Sequence, residues 1–339
     1  MVNATRTLTR RKALLLGLTT VTGAALAACS AMPAAPAAKT ASAPASAKPR
    51  TIRVGTFRQN HVAAPLFWPK FAPSGTTVEV STFGSGTDMN RLLDTGELDF
   101  AAFGTVNGFI EVEQGLRSKI IGMVARQGAG VMVKRDGPLN APADLKGKKI
   151  GIKAPSFQYL VMIRQLRDLG LDPNKDVTLV PVEWTDMPLA LEKGDVDAYM
   201  GSEPAPSRSV VAGAGRRLVN PYTTEVGSLN SALWMSHTVP GKDADLPRIA
   251  IDMQRSAADF LSPSGTNDPE AWRDLIVNQF GLPDDVFREL LTNVGAVWRL
   301  DDFWIKQAHA QGDEMLRLGL LKEKPKYESV IDPQYQPKS

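Results

Sequence analysis

A two-lobed α/β fold is what this 339-residue sequence predicts, and three observations lead there. The length suits about two domains. From residue 51 onward, short β-branched segments alternate with helical ones, the pattern of βαβ units in a mostly parallel sheet. The alternation restarts near residue 148, and one unit recurs. Asp88-Met89-Asn90-Arg91-Leu92-Leu93-Asp94-Thr95-Gly96-Glu97-Leu98-Asp99 is echoed 98 residues later by Asp186-Met187-Pro188-Leu189-Ala190-Leu191-Glu192-Lys193-Gly194-Asp195-Val196-Asp197. Each copy reads as a short helix, a glycine stop, an acid-rich turn and a strand. The alternative to a genuine repeat is a chance match between two helix–Gly–strand units.

In the first half, residues 51–56 and 77–83 read as strands, the second alternating with a β-branched bias, and strands at 98–103 and 119–125 follow. Helical stretches lie between them at 63–71, 88–94 and 107–114. In the second half, strands are expected at 148–153, 176–182 and 196–200. Ser156 is placed to cap a helix over 157–169, where Leu160, Ile163 and Leu166 recur at helical spacing and Gly170 supplies the stop. A short helix over 187–193 ends at Gly194. Beyond residue 230 the character changes to one more strand, 231–239, and helices at 246–261, 269–280, 283–291 and 301–320. Asp284/Asp285 and Asp301/Asp302 suit the positive end of a helix dipole. The tail from Lys324, with Pro325, Pro333 and Pro337, is expected to be irregular.

The first fifty residues follow different rules. Residues 1–28 hold four of the 39 basic side chains (Arg6, Arg10, Arg11, Lys12) and no acid, so the remainder carries 35 basic against 36 acidic residues, a net of −1. A near-neutral body offers no electrostatic footprint for nucleic acid. The basic stretch precedes an apolar run, 13–28, that ends on small residues, as in a signal peptide. Its 16 residues are short of the roughly 20 a membrane span needs, though an uncleaved signal anchor is the alternative. Leu26-Ala27-Ala28-Cys29 resembles the bacterial lipobox, which implies that Cys29 is acylated and becomes the mature N-terminus. Thr9-Arg10-Arg11 resembles the start of a twin-arginine signal, but Ala13 stands where that motif prefers an aromatic, and Sec export is equally open. Residues 30–50 are almost all Ala, Pro, Ser and Lys, a tether of roughly 25 Å as a coil. Cys29 is the only cysteine, which excludes a disulfide, a thiolate zinc site and a cysteine nucleophile from the body.

Asp144-Leu145-Lys146-Gly147-Lys148-Lys149-Ile150-Gly151, then Leu191-Glu192-Lys193-Gly194-Asp195-Val196-Asp197-Ala198 ending in Ser202-Glu203-Pro204, resemble the solute-binding proteins of ABC importers of the nitrate/sulfonate/taurine type. That NMT1-like family includes thiamine-pyrimidine binders. The resemblance covers roughly 51–320. One departure is Ser202, where the family often has Trp before Glu-Pro. It implies a type II periplasmic binding protein fold, two α/β lobes with a ligand cleft between them. Residues 131–135 would be the first crossing and 231–236 the return. Lobe 1 would then be 51–136 and 229–339, and lobe 2 137–228. The implied function is capture of a small organic anion or related solute and its delivery to an ABC permease and its ATPase, with no cofactor. The implied location is outside the cytoplasm, on a membrane through the lipid anchor.

In open α/β sheets, ligands sit beyond the carboxyl ends of strands. That rule selects Phe57, Arg58, Gln59, Asn60 and His61 after the first strand, Gly84, Ser85, Gly86 and Thr87 after the second, and Gly104 and Thr105 after the third. In the second lobe it selects Ser156 and Phe157, then Glu183, Trp184 and Thr185, then Ser202 and Glu203. Of these, Arg58, Gln59, Asn60, Ser85, Gly86, Thr87, Thr105, Ser156, Phe157, Trp184 and Glu203 are the candidate contacts. The turn from Gly84 to Thr87 opens a helix whose N–H groups would attract an anion, and it is otherwise an ordinary strand-to-helix turn. Ser156 is either a cap or a ligand donor. Arg58 could pair with a sulfonate or carboxylate, or be a solvated arginine. Phe157 and Trp184 could wall an apolar pocket, or Phe157 could be core. Glu203 could accept from an amine or cap the helix that Pro204 begins. His61 reads as a hydrogen-bonded loop residue. With only His61, His237 and His309, far apart, no histidine metal cluster is expected.

No nucleophile elbow, zincin motif or P-loop occurs. Two other roles remain beside the carrier. One is a receptor that presents its ligand to a sensor kinase. The other is an enzyme like the fungal thiamine-pyrimidine synthases, which share this fold but carry a cysteine-rich motif absent here.

Overall fold

The computed structural model describes residues 49–338, apart from Gln59 and Ser85. The signal segment, Cys29 and most of the tether lie outside the described residues.

Eleven strands form two sheets among the described residues. In the first, β1 (Arg50–Phe57), β2 (Thr76–Phe83) and β3 (Phe100–Gly104) run parallel, with β2 at the edge. β4 (Ser118–Gln127) lies beyond β10 (Leu229–Ser236), which is antiparallel to both β3 and β4. β11 (Val294–Ala296) closes the far edge. β10 is buried along its whole length and β3 over nearly all of its own, so both read as continuous apolar runs rather than alternating ones. The second sheet holds β5 (Ala129–Lys134), β6 (Lys149–Ile152), β7 (Thr178–Pro181), β8 (Ala198–Ser202) and β9 (Gly215–Val219) in the order β7-β6-β8-β5-β9.

The chain leaves the first sheet at Gln127 and enters the second at Ala129. The segment 131–135 expected as the first crossing is therefore almost wholly inside β5, pairing with β8 and β9. The crossing is two residues, Gln127 (φ 66°) and Gly128 (φ 85°), both left-handed. It is hard to place in sequence because apolar residues flank it closely on both sides, at 120–125 and 129–133. The return lies just before β10, at Gly227 and Ser228, rather than within 231–236.

The 98-residue echo is physical. Gly96 (φ 77°) and Gly194 (φ 83°) end their helices in the same left-handed conformation. Asp99 Oδ2 accepts from Arg53 N at 2.9 Å, tying the helix–turn unit to β1. Asp197 Oδ2 accepts from Lys149 N at 2.8 Å, tying its copy to β6. The same aspartate thus performs the same task in each sheet.

The main core runs under β3 and β10. Trp234 stacks on Phe103 (4.9 Å, 14°) and meets Phe109 edge-on. The Thr105–Glu113 helix can lie that close because Gly108 faces the indole: a Cβ there would sit 1.9 Å from Trp234 Cζ2. The helix expected at 63–71 resolves into short turns ending in Trp68–Phe71. That expected at 269–280 continues from Pro269–Arg273 into a π turn over Asp274–Gln279. β9 and β11 carry no strand signal in sequence, β9 because Gly215-Arg216-Arg217 reads as a solvated basic turn and β11 because it is only three residues long.

Candidate functional site

The carboxyl ends of β1, β2 and β3 gather Arg58, Asn60, Gly86, Thr87 and Thr105 on one edge of the first sheet. Those of β6, β7 and β8 gather Ser156, Phe157, Trp184 and Glu203 on one edge of the second. Gln59 and Ser85 lie outside the described residues.

Several of these side chains already have partners. Arg58 Nη2 donates to the Gln279 carbonyl at 2.7 Å, and its guanidinium lies 5.2 Å from the Phe280 ring centroid, on the exposed side of the first lobe. Asn60 opens the short turn Asn60–Val62. Gly86 begins the Gly86–Thr95 helix, close to the Phe57 ring, and Thr87 is exposed.

Four more have their polar groups or rings engaged within the protein, and for Ser156, Phe157 and Glu203 the engagement matches the structural role that the sequence left open beside ligand contact. Thr105 is fully buried and donates to Gln311 Oε1 at 2.6 Å, so it faces the C-terminal helix rather than a ligand. Ser156 caps the Phe157–Asp168 helix. Its Oγ accepts from Tyr159 N at 3.0 Å and donates to Lys153 O at 2.6 Å. Phe157 is core. Glu203 is 3% exposed and saturated: Oε2 accepts from Ser207 Oγ (2.7 Å) and Ser207 N (3.2 Å), and Oε1 from Arg217 Nη2 (3.0 Å) and Asn293 Nδ2 (2.8 Å). Arg217 also reaches Glu289 at 3.2 Å, and no ligand amine can enter this network without displacing a buried partner.

Trp184 keeps a half-exposed face. Its other face packs on the cluster of Met187, Leu191 and Tyr199. Lys153 Nζ lies 5.9 Å from its ring centroid and forms an ion pair with Glu183. Glu183 is one of the strand-end positions the sequence selects, whereas Lys153 is not, although it too follows a strand end. The His61 expectation also fails. Its Nδ1 is buried with no partner, and burial pushes its pKa down to about 4, so the ring is neutral at physiological pH.

A cavity of about 440 Å³ opens beside the first crossing, lined from both lobes by Gln127, Arg217, Tyr222 and Asn293 among others. Another of about 490 Å³ lies against Arg53, Glu79 and Phe83 at the outer edge of the first sheet and involves one lobe only. Among the described residues, no group of three His, Cys, Asp or Glu could hold a metal ion, and no helix is long and apolar enough to cross a membrane.

Residues 45–271 match the NMT1-like family. A Haemophilus influenzae protein named for thiamine biosynthesis is 33% identical over 113 residues, which is 33% of this chain and 35% of that one. The taurine-binding periplasmic protein of Escherichia coli is 23% identical over 201 residues, 59% of this chain and 61% of that one. The chain thus spans about a third to three-fifths of these relatives' lengths. The periplasmic aliphatic sulphonate binding protein SsuA from Escherichia coli superposes with a TM-score of 0.72 at 19% identity, covering 86% of this chain and 94% of that one. The desulfurization enzyme DSZB does so with a TM-score of 0.63 at 18% identity, covering 84% and 97%. At such identities the likeness is one of fold: the two-lobed architecture of periplasmic binding proteins, which serves a carrier and an enzyme alike.

Proposed function

Because the chain belongs to the NMT1-like family, we propose that it is an extracytoplasmic solute-binding protein that captures a small organic anion of the sulfonate class between its lobes and delivers it to an ABC permease. The observation that carries this reading is the placement of two helix N-termini. The helices Gly86–Thr95 and Phe157–Asp168 start at the carboxyl ends of β2 and β6, one in each lobe. Unpaired N–H groups and the dipole at such ends favour an anion. Arg58, Gln59, Asn60, Ser85, Gly86, Thr87 and Trp184 are the proposed lining, with Thr105, Ser156, Phe157 and Glu203 supporting it from behind. In the proposed cycle the ligand engages one lobe and the second closes over it about the two crossings. Acylated Cys29 would hold the body near the membrane.

Thermal shift against alkanesulfonates, taurine, nitrate and carboxylates tests the ligand class. A ligand at 100 times its Kd adds about 2.7 kcal/mol, enough to raise the midpoint by several degrees. Aminopyrimidines belong in the same panel, because the Haemophilus influenzae relative named for thiamine biosynthesis favours them as a second reading. A response to aminopyrimidines alone would replace the sulfonate assignment. Turnover of a bound sulfonate would replace the carrier reading with an enzyme.

A further inference from the structure

We infer that three buried amide side chains from the C-terminal third, Asn293, Gln307 and Gln311, clamp both interlobe crossings and act as positioning residues that set the resting angle of the lobes. Asn293, just before β11 of the first sheet, holds the first crossing. Its backbone oxygen accepts from Gly128 N at 2.7 Å. Its Nδ2 donates to Ala129 O and to Glu203 Oε1, both at 2.8 Å and both in the second lobe. Its Oδ1 accepts from Tyr222 Oη at 2.8 Å, and Tyr222 Oη accepts from Ala129 N at 2.7 Å. Exchanging O and N of this amide would set Oδ1 against a carbonyl and a carboxylate, so the network fixes its orientation.

The Asp302–Arg317 helix holds the second crossing. Gln307 Oε1 accepts from Ser228 N (2.8 Å) and Leu229 N (3.0 Å). Gln311 Nε2 donates to Val226 O (3.1 Å) and Leu229 O (2.7 Å), while its Oε1 receives Thr105. Gly227, at φ 62°, is what lets the helix approach: a Cβ there would lie 2.2 Å from Gln307 Cδ. The three amides are 8%, 7% and 0% exposed. Pulling either crossing away would strand buried donors and acceptors, so both crossings are tied to the C-terminal segment and bending is confined to what these bonds allow.

The clamp stands independently of any ligand, whereas its consequence for capture rests on the carrier reading. Native-state hydrogen exchange on the full chain tests the clamp. Gly128, Ala129, Ser228 and Leu229 should exchange slowly, and Gln307→Ala should speed Ser228 and Leu229 at least tenfold while sparing Gly128 and Ala129. Rapid exchange at all four in the unaltered chain, or no change in Gln307→Ala, overturns it. Spin labels test the positioning role. Arg91→Cys and Leu189→Cys are exposed sites in the two lobes, and Cys29→Ser removes the one native cysteine. Asn293→Ala and Gln311→Ala should broaden the interlobe distance distribution by several ångströms. An unchanged distribution in folded protein overturns the role, and Asn293→Ser substitutes if Asn293→Ala does not fold. An alkanesulfonate that binds the unaltered chain should bind these variants at least fivefold more weakly, with a faster off-rate. If no alkanesulfonate binds while the exchange and distance results hold, the carrier reading fails and the clamp stands.

Discussion

The two echoed aspartates offer a paired experiment, because one motif residue performs one task in two environments. Asp197 is exposed and accepts one backbone bond, from Lys149 N at 2.8 Å. Its replacement by alanine should cost about 1 kcal/mol, the ordinary net worth of a hydrogen bond that water can replace. Asp99 is 1% exposed. It accepts from Arg53 N at 2.9 Å through Oδ2 and from Lys242 Nζ at 2.8 Å through Oδ1. Asp99→Ala removes a buried charged acceptor from a part-buried backbone hydrogen bond, worth about 1.5–3 kcal/mol. The Lys242 side chain is 39% exposed and recovers its hydration, so the ion pair adds only about 0–1 kcal/mol. The expected cost is therefore about 3 kcal/mol for Asp99→Ala against about 1 kcal/mol for Asp197→Ala. Urea unfolding with two probes, one in each lobe, measures both and shows whether the lobes unfold together. Equal costs, or a larger cost at Asp197, would refute the claim that burial rather than the shared motif sets the energy.

Other outcomes follow from the same geometry. Gly108→Ala should destabilise by about 2 kcal/mol, overpacking against Trp234 outweighing the gain in helix propensity of up to about 1 kcal/mol; Trp234→Phe in the same chain should restore part of the loss, and a neutral single variant would show that the indole can move. His61 has its folded pKa lowered from 6.5 to about 4. Its contribution is therefore whole above pH 6.5 and is lost as pH falls from 6.5 toward 4, by about 3 kcal/mol at most. The unfolding free energy should fall less steeply from pH 7 to about 4.5 in His61→Gln than in the unaltered chain. Arg58→Ala should weaken anion binding by about 2 kcal/mol, roughly 30-fold, in titration calorimetry; unchanged affinity would leave Arg58 with only its Gln279 and Phe280 contacts. Cys29→Ala should abolish labelling of the exported protein by radioactive fatty acid, and retained label would end the lipid-anchor reading.

What the sequence determined by itself is what short-range forces decide. Ser156 caps its helix through Tyr159, three residues on, and Gly194 stops the one before β8 in a left-handed turn, so both are legible locally. The echo of residues 88–99 in 186–197 announced two related sheets, and motif order announced the family. Tertiary structure alone decided which strand-end side chains are free to meet a ligand. Thr105 is taken by Gln311, 206 residues away, and Glu203 by Asn293, 90 residues away. The crossing at Gln127–Gly128 was equally hidden, since apolar strands continue on either side of it and only the sheet pairings differ. A polar residue at a strand end looks the same in sequence whether it faces solvent, a ligand or a distant helix. Its hydrogen-bonding capacity is assigned only when the chain folds and the partner arrives.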